Sequence, residues 1–520
     1  MNIVLYKHGF DDYQTEITHL LKLFFEQVHY VPEDEAVEGD FILTLRVKAE
    51  AAKPGAEQEA LVETGFYAFG SEPESGWAHA VTRLLPAPSE GSDERRRLLK
   101  RVLLSAMLQT LQEATGLEQP WGTLTGVRPT KLMHNMLLKQ GRERSMQVLR
   151  DDYLLKEDKV RLLTDVAERQ LRVIPDLFRL DREVSIYIGI PFCPTKCAYC
   201  TFPAYDIRGN NGSVEAFLEG LHYEIRAMGE WMRSNGMGIT TIYWGGGTPT
   251  SITAEQMDAL FVTMHEYFPA MDRVRELTVE AGRPDTITED KIRVMQKWNV
   301  DRISINPQSF TQQTLDAIGR HHTVEETIEK FKLARSMGLN NINMDLIIGL
   351  PNEGMKEFEH TLAETEKLLP ESLTVHTLSF KRASKMTKNR DSYEVAERDE
   401  VQEMMDTAIR WTEAHGYVPY YLYRQKNILG NLENVGYSFE GQESLYNILM
   451  MEERQTIIGL GCGAVSKILF PLGDKPDGEP QRLERFPNPK EPGVYNQAYK
   501  EYIDKKIKLL DEAYAVETIL

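Results

Sequence analysis

The sequence has 520 residues, 42% of them hydrophobic and 27% charged, which is ordinary for a globular protein with two or three domains. Its formal net charge of −19 excludes a nucleic-acid-binding protein that depends on bulk electrostatic attraction. No run of about 18 apolar residues predicts a membrane span, the N-terminus lacks the features of a signal peptide, and the four cysteines make no disulfide framework, so we expect a cytoplasmic protein.

Residues 1–178 are predicted to form an N-terminal α+β domain with a helical extension. Alternating apolar and polar residues indicate strands, and apolar residues at helical spacing indicate amphipathic helices. In chain order these are strand 2–7, helix 14–28, paired strands 40–48 and 60–69, helix 93–115, and further helix near 129–140 and 156–178. Ser92 and Gly116 are placed to begin and end the long helix. Residues 72–92, rich in Ser, Glu, Pro and Gly, are typical of a loop.

Residues 179–425 show a different rhythm, in which strands alternate with helices. The predicted strands are 184–190, 240–244, 276–280, 301–306, 341–348 and 372–379, and helices between them include 213–234, 254–268 and 323–337. This alternation is typical of parallel βαβ units, and it predicts a full or partial (β/α) barrel with its chemistry at the carboxyl ends of the strands. Residues 426–520 are predicted to form a C-terminal α+β subdomain.

Three of the four cysteines follow the first predicted barrel strand directly. Cys193, Cys197 and Cys200 have C-x3-C-x2-C spacing. A [4Fe–4S] cluster normally takes four cysteine ligands, so three thiolates leave one iron open for another ligand. A zinc site and three inert thiols are the alternatives, but zinc favours a fourth ligand, and Cys462 stands far away in the sequence. The motif favours a cluster and resembles the radical S-adenosylmethionine (SAM) enzymes, in which SAM chelates the open iron.

Glycine-rich and polar segments follow the next predicted strands. The run Trp244–Thr250 holds three consecutive glycines, which let the backbone approach a ligand closely or form a tight turn. Glu280 is either an acceptor for a cationic ligand or a solvated loop carboxylate. Gln308 and Asp345 either face a ligand or belong to the polar layers of an ordinary barrel, and a buried Asp345 needs a partner in both cases. The histidine pair 321–322 is interpreted as part of a loop rather than as catalytic.

Together these motifs resemble the oxygen-independent coproporphyrinogen III oxidase family of radical SAM enzymes. The resemblance covers roughly residues 180–470 and depends on Tyr-Ile-Gly-Ile-Pro-Phe-Cys, Gly-Gly-Gly-Thr-Pro-Thr, Val-Glu-Ala-Gly-Arg-Pro, Asn-Pro-Gln-Ser-Phe, Gly-Arg-His-His and Met-Asp-Leu-Ile-Ile-Gly-Leu-Pro. The N-terminal extension and the later Tyr-Leu-Tyr-Arg-Gln-Lys-Asn are most similar to the coproporphyrinogen dehydrogenase (HemZ) branch. The resemblance implies a partial parallel (β/α)6-type radical SAM barrel that binds a [4Fe–4S] cluster and one or two SAM molecules per chain.

The resemblance also implies which residues hold these cofactors. The cluster ligands would be the three clustered cysteines. The first SAM would contact Tyr187, Gly246 and Glu280, and the second would contact Tyr199, Gly247, Thr248, Gln308, Arg320 and Asp345.

The implied reaction is the oxidative decarboxylation of coproporphyrinogen III propionates to vinyl groups, which gives protoporphyrinogen IX in haem biosynthesis and needs an electron donor such as a flavodoxin or ferredoxin. Phe202 departs from this pattern, because the characterised oxidases carry a fourth cysteine there, whereas the haem-chaperone branch has Phe. A haem-binding chaperone and a radical SAM enzyme that acts on haem therefore remain alternatives. An anionic tetrapyrrole needs cations, and Lys381, Arg382 and Arg424 are the candidate substrate contacts, with solvated loop charges as the alternative.

Overall fold

The computed structural model describes residues 2–10, 12–25, 29–31, 40–49, 58–85, 92–209, 212–379, 384–388, 393, 396–425, 428–470 and 482–514. The chain divides into two compact units, Met1–Pro129 with Met136–Thr164, and Thr130–Asn135 with Asp165–Leu520. The three-part division expected from the sequence, with boundaries at residues 178 and 425, stays a prediction. No helix in the described part of the chain combines the length and the apolar character needed to cross a membrane.

The first unit is built on a five-stranded sheet. The elements up to residue 173 are β1 (Asn2–His8), α1 (Gln14–Leu21), β2 (His29–Val31), β3 (Phe41–Ala49), β4 (Gln58–Ala68), β5 (Trp77–Leu85), α2 (Ser92–Thr115), α3 (Pro129–Asp151) and α4 (Glu157–Val173). The strand order is β2-β1-β3-β4-β5, with β1 parallel to both neighbours and the later pairs antiparallel. The predicted pairing of strands 40–48 and 60–69 is confirmed, and the predicted helix 14–28 ends earlier, at Leu21.

The prediction of a loop over residues 72–92 is wrong in its middle part. Residues Trp77–Leu85 form β5, which pairs antiparallel with β4 from Phe66↔Trp77 to Gln58↔Leu85. The flanking Gly, Pro and Ser residues indicated a loop, but β4 offers a row of backbone groups that an adjoining strand can pair. Only Leu85 of this edge strand is fully buried, while Val81 packs partly against the core, so the apolar alternation in the sequence is weak.

The core of the first unit lies between the sheet and helices α1 and α2. Side chains alternate between buried and partly exposed along β4, as the two-residue period of a strand requires. The buried side chains that form this core are Ile3, Leu5, Ile17, Leu20, Leu43, Leu45, Val62, Phe66, Val102, Leu103, Met107 and Leu111.

The second unit contains a larger, eleven-stranded sheet. The elements from residue 183 onward are β6 (Glu183–Ile190), β7 (Phe192–Cys193), β8 (Tyr205–Asp206), α5 (Val214–Ser234), β9 (Gly238–Gly246), α6 (Ala254–Tyr267), β10 (Glu276–Val279), α7 (Glu289–Lys297), β11 (Arg302–Ser304), α8 (Gln312–Ala317), α9 (Val324–Ser336), β12 (Ile342–Ile348), α10 (Met355–Leu368), β13 (Ser372–Thr377), α11 (Lys385–Lys388), α12 (Arg398–Ala414), β14 (Val418–Tyr423), β15 (Asn434–Ser438), α13 (Leu445–Glu452), β16 (Thr456–Gly461), β17 (Val465–Phe470), β18 (Arg482–Pro487) and α14 (Pro492–Tyr514).

Six strands of this sheet, β6 and β9 to β13, are parallel and lie side by side in chain order. Helices connect them, as the alternating pattern predicted, and four of these helices begin at a hydroxyl side chain that accepts a backbone N–H three residues later. These caps are Ser213, Thr253, Thr288 and Thr323. Sequential parallel pairing through helical crossovers is the architecture of a (β/α)6-type barrel, so the predicted fold class is confirmed.

Residues after 425 extend the sheet at both edges. β15 pairs antiparallel with β13, and β16 pairs parallel with β6 from Thr456↔Val184 to Gly461↔Gly189. Between them in the chain, α13 contacts both β9 and β14. The helix therefore spans from one side of the parallel sheet to the other, and its side chains contribute to the cavity that the strands enclose.

Candidate functional site

A cavity of about 440 Å³ lies at the carboxyl ends of the parallel strands. Residues in or directly after all six strands line it, which places the functional segments where a (β/α) barrel normally has its chemistry. Every cofactor residue proposed from the sequence lies on its wall: Cys193, Cys197, Cys200, Tyr187, Tyr199, Gly246, Gly247, Thr248, Glu280, Gln308, Arg320 and Asp345.

The three cysteines lie on a closed loop between β6 and α5. The loop begins and ends at the short parallel pair of β7 and β8, and the Tyr205 N–H donates to the carbonyl of Pro191 at 2.8 Å. Cys193 is buried, whereas Cys197 and Cys200 are half-buried. Burial raises the pKa of the Cys193 thiol to about 11, and a coordinated metal would remove that proton.

The glycine run packs against the cysteine loop. The N–H groups of Gly247 and Thr248 donate to the carbonyls of Ile190 and Phe192, both at 2.8 Å. A Cβ on Gly247 would lie 2.7 Å from the Phe192 oxygen and 3.0 Å from the Cys193 sulfur, so only glycine allows this approach. Both N–H groups are therefore used in hydrogen bonds within the protein and are not available to a ligand.

Two carboxylates on the cavity wall have opposite protonation behaviour. Burial, together with the nearby charge of Asp345, raises the pKa of Glu280 to about 8. Burial acts in the same direction on Asp345, but hydrogen bonds from His376 and Asn343 hold its pKa below the ordinary value. The Asn306 and Asn343 amides donate to the two Asp345 oxygens at 2.9 and 2.8 Å. At neutral pH, Asp345 is thus ionised and Glu280 is protonated. A cation bound beside Glu280 would lower its pKa and release the proton.

Gln308 and Arg320, both on the cavity wall, each have a buried side-chain atom that makes no hydrogen bond within the protein. Gln308 has a left-handed backbone (φ 66°), which costs energy in a non-glycine residue, and an isolated bridge to Leu346 holds it there. Arg320 is 4% exposed and donates to the carbonyls of Asn306 at 2.5 Å and Gly282 at 2.9 Å. Gln308 Oε1 and Arg320 Nε are buried without a hydrogen-bond partner, as expected for groups that await a ligand.

A tyrosine stack, which the sequence interpretation missed, forms another wall. The rings of Tyr187 and Tyr243 lie 6.2 Å apart, and those of Tyr243 and Tyr446 lie 4.5 Å apart. Burial beside Glu280 raises the pKa of Tyr187 and Tyr243 above the ordinary value, so both phenols stay neutral. Tyr187 and Tyr243 occupy paired positions of β6 and β9, a register that the sequence alone does not reveal.

Of the proposed substrate cations, only Arg424 lies within the described residues. Lys381 and Arg382 lie outside the described residues. Arg424 is 5% exposed and is absent from the cavity wall, because its guanidinium donates to Asn431 Oδ1 at 2.5 Å. The histidine pair is also absent from the wall: His321 is exposed, and His322 is buried with its pKa lowered to about 3 by burial and by Arg320.

The residues on the wall fit a [4Fe–4S] cluster with SAM better than a single metal ion. Among the described residues, no group of three His, Cys, Asp or Glu side chains converges closely enough to hold one ion. The three thiols instead line one cavity together with the Glu280 carboxyl group and the unpartnered Gln308 and Arg320 atoms, which suit a ligand that carries an amino acid group. The cysteine, glycine and strand-end segments meet as the sequence predicted.

A model of the radical SAM superfamily matches residues 187–364, which include all of these segments. The fold and the site thus define a radical SAM protein, a class that uses a [4Fe–4S] cluster and SAM. The chain is 58% identical over 433 residues to the oxygen-independent coproporphyrinogen-III oxidase-like protein HemZ of Bacillus subtilis (strain 168), over 83% of this chain and 85% of that relative. The chain belongs to this family of oxygen-independent coproporphyrinogen-III oxidase-like proteins.

Two further comparisons concern more distant proteins. The chain is 30% identical over 284 residues to the heme chaperone HemW of Bacillus subtilis (strain 168), over 54% of this chain and 70% of the chaperone. The solved structure of coproporphyrinogen III oxidase (HemN) from Escherichia coli, described as a radical SAM enzyme, matches with a TM-score of 0.49 and 21% identity, over 64% of this chain and 72% of that one.

Proposed function

We propose that this protein is an oxygen-independent coproporphyrinogen III oxidase that converts two propionates to vinyl groups, giving protoporphyrinogen IX. The proposal rests on the 58% identity, over most of the chain, to a coproporphyrinogen-III oxidase-like relative. It is supported by the cavity, whose wall carries the complete set of cofactor residues expected from the sequence.

The cysteine loop would hold the cluster through Cys193, Cys197 and Cys200. When bound, the cluster and SAM supply one-electron chemistry that removes a hydrogen atom from the substrate. Glu280 would accept from the SAM amino group and release its proton to the solvent as the ligand binds. The neutral tyrosine stack would exclude water from this side of the site.

The reaction at each propionate is balanced without an external oxygen atom. The β-carbon of the propionate carboxylate would lose one hydrogen atom, and the C–CO2 bond would break as the C=C bond forms. One electron would leave the substrate for an acceptor, and a donor such as a flavodoxin or ferredoxin would supply one electron for each hydrogen removed. A reducing compartment such as the cytoplasm suits this cycle.

The substrate would approach at the opening of the cavity. Phe202 marks that opening, since it contributes to the wall and is 57% exposed. A volume of about 440 Å³ accommodates SAM and leaves the tetrapyrrole ring to lie across the mouth. Lys381 and Arg382, which follow β13 in the sequence, are the cations proposed to bind the propionates.

The test is anaerobic incubation with SAM, a low-potential reductant and coproporphyrinogen III, followed by mass spectrometry of the tetrapyrrole. We expect loss of two CO2 and four hydrogens, of which two are abstracted from the β-carbons and two are the carboxyl protons, with one 5′-deoxyadenosine per vinyl group. Cys200→Ala should abolish both products, whereas Cys462→Ser should keep them, because Cys462 is buried away from the cavity. Formation of 5′-deoxyadenosine without a vinyl product would show that the substrate assignment is wrong.

A second candidate function is haem binding without decarboxylation, as in the haem chaperones. Phe202 favours it, because an exposed aromatic ring beside the cluster loop can pack on a porphyrin face. Haem titration of the intact protein distinguishes the two functions. Stoichiometric haem binding that Phe202→Ala weakens, in a protein that forms no vinyl product, would select the chaperone function.

A further inference from the structure

Arg283 is a buried arginine on the loop that follows β10, and the comparison of motifs assigned it no role. It is 3% exposed and lies on the cavity wall. Its Nε and Nη2 donate to the two Asp285 oxygens at 3.0 and 2.9 Å, which is a two-bond fork. The remaining nitrogen, Nη1, reaches across to the cysteine loop and donates to the Thr195 hydroxyl at 2.8 Å.

Thr195 is the middle residue of the segment between Cys193 and Cys197. Its hydroxyl donates onward to the Gly319 carbonyl at 3.3 Å, and its own carbonyl lies 3.4 Å from Arg283 Nη1. The Ala198 N–H, just past the second cysteine, donates to the Ile318 carbonyl at 2.9 Å. The segment is therefore held from two barrel loops, through a side-chain bridge at Thr195 and a backbone bond at Ala198.

We propose that Arg283 is a positioning residue for the iron–sulfur cluster, acting through Thr195 to hold the C-x3-C segment. A guanidinium has the fork geometry to bind Asp285 with two nitrogens while a third points at the loop. Partners behind the ligands of a metal site orient those ligands and tune the metal. This inference depends on the cluster site and not on the identity of the substrate, so the product assay and the experiments below can fail independently.

The charges of the pair predict opposite effects on the cluster. Arg283 holds Asp285 ionised against burial, which by itself would raise the carboxyl pKa. Arg283→Gln would leave an unbalanced anion near the cluster, so the reduction potential should become more negative. Asp285→Asn would leave an unbalanced cation, so the potential should become more positive. Thr195→Val changes no charge and should leave the potential almost unshifted.

The test uses the full-length protein with its reconstituted cluster and measures iron and sulfide content, the rate of cluster loss to a chelator, and the reduction potential. We expect Thr195→Val and Arg283→Gln to lose the cluster about tenfold faster than the unaltered protein. Thr195→Ser keeps the hydroxyl and should restore the slow rate. If Thr195→Val loses its cluster no faster than Thr195→Ser, the proposal is wrong, even where Arg283→Gln fails to fold.

A control ion pair lies at the amino ends of the strands, on the side of the sheet away from the cysteine loop. Arg335, whose side chain is 35% exposed, makes a two-bond fork to Glu371, at 2.7 and 3.1 Å, near the start of β12. Arg335→Gln therefore removes a similar ion pair without touching the cysteine loop. A potential and a cluster-loss rate that shift equally in Arg283→Gln and Arg335→Gln would overturn the proposal in favour of general destabilisation.

Discussion

Replacing Glu280 with glutamine should remove a specific pH dependence from the stability of the protein without its cofactors. Burial and the neighbouring Asp345 raise the pKa of Glu280 from 4.5 to about 8. The folded state therefore keeps the Glu280 proton in a pH range where the unfolded chain has lost it. Glutamine has nearly the same shape as protonated glutamic acid and never ionises.

The sign and size of the effect follow from proton linkage. Below pH 4.5 both states bind the proton, and above pH 8 neither does. Between these values only the folded state binds it, so stability falls as the pH rises, by about 1.4 kcal/mol per pH unit. From pH 5.5 to 7.5 the loss is roughly 3 kcal/mol, and across the whole range it approaches roughly 5 kcal/mol.

The assay is urea unfolding of the original protein and Glu280→Gln at pH 5.5, 6.5 and 7.5. The difference between the two unfolding free energies should change by roughly 3 kcal/mol in favour of the glutamine variant as the pH rises. Glu289→Gln, at an exposed position on α7, controls for the loss of a surface carboxylate. A difference that stays constant over this range would refute the assignment of a protonated Glu280.

Two other predictions concern the frame around the site. Lys506 is fully buried, and its ammonium lies 2.6 Å from the Glu224 carboxylate. Lys506→Met should leave this buried carboxylate without its cation and lower the free energy of unfolding, measured by urea titration, by about 3–5 kcal/mol. A loss under about 1 kcal/mol would contradict the pairing. Gly247→Ala would place its Cβ 3.0 Å from the Cys193 sulfur and should lower the iron bound per chain. Gly126 has open space around it, so Gly126→Ala should leave the iron content unchanged. Equal iron in both variants would contradict the packing argument.

The sequence predicted the parallel part of the fold closely, because helix and strand periods alternate there without interruption. The six parallel strands, β6 and β9 to β13, begin and end within a few residues of the predicted ones. The sequence did not predict strand pairs whose members lie far apart in the chain. β16 joins the sheet beside β6 after more than 260 intervening residues, counted from Ile190 to Thr456, and no local pattern indicates such a partner.

The candidate site was also predictable only in part. Cysteine spacing and strand-end motifs predicted residues that do lie together on the cavity wall, because the barrel architecture places each of them at the end of a strand. Tyr446 was missed because it reaches the cavity from α13, outside the predicted barrel. The bridge from Arg283 to Thr195 was missed because 88 residues separate the partners. The left-handed backbone of Gln308 depends on tertiary contacts that its own sequence does not encode.

The most direct measurement of the proposed activity follows one hydrogen atom. Coproporphyrinogen III carrying deuterium on the propionate β-carbons is incubated anaerobically with the reduced protein and SAM, and the mass of the 5′-deoxyadenosine is determined. We predict 5′-deoxyadenosine heavier by one deuterium, formed together with the vinyl product. Unlabelled 5′-deoxyadenosine, with the propionates intact, would contradict hydrogen abstraction from this substrate.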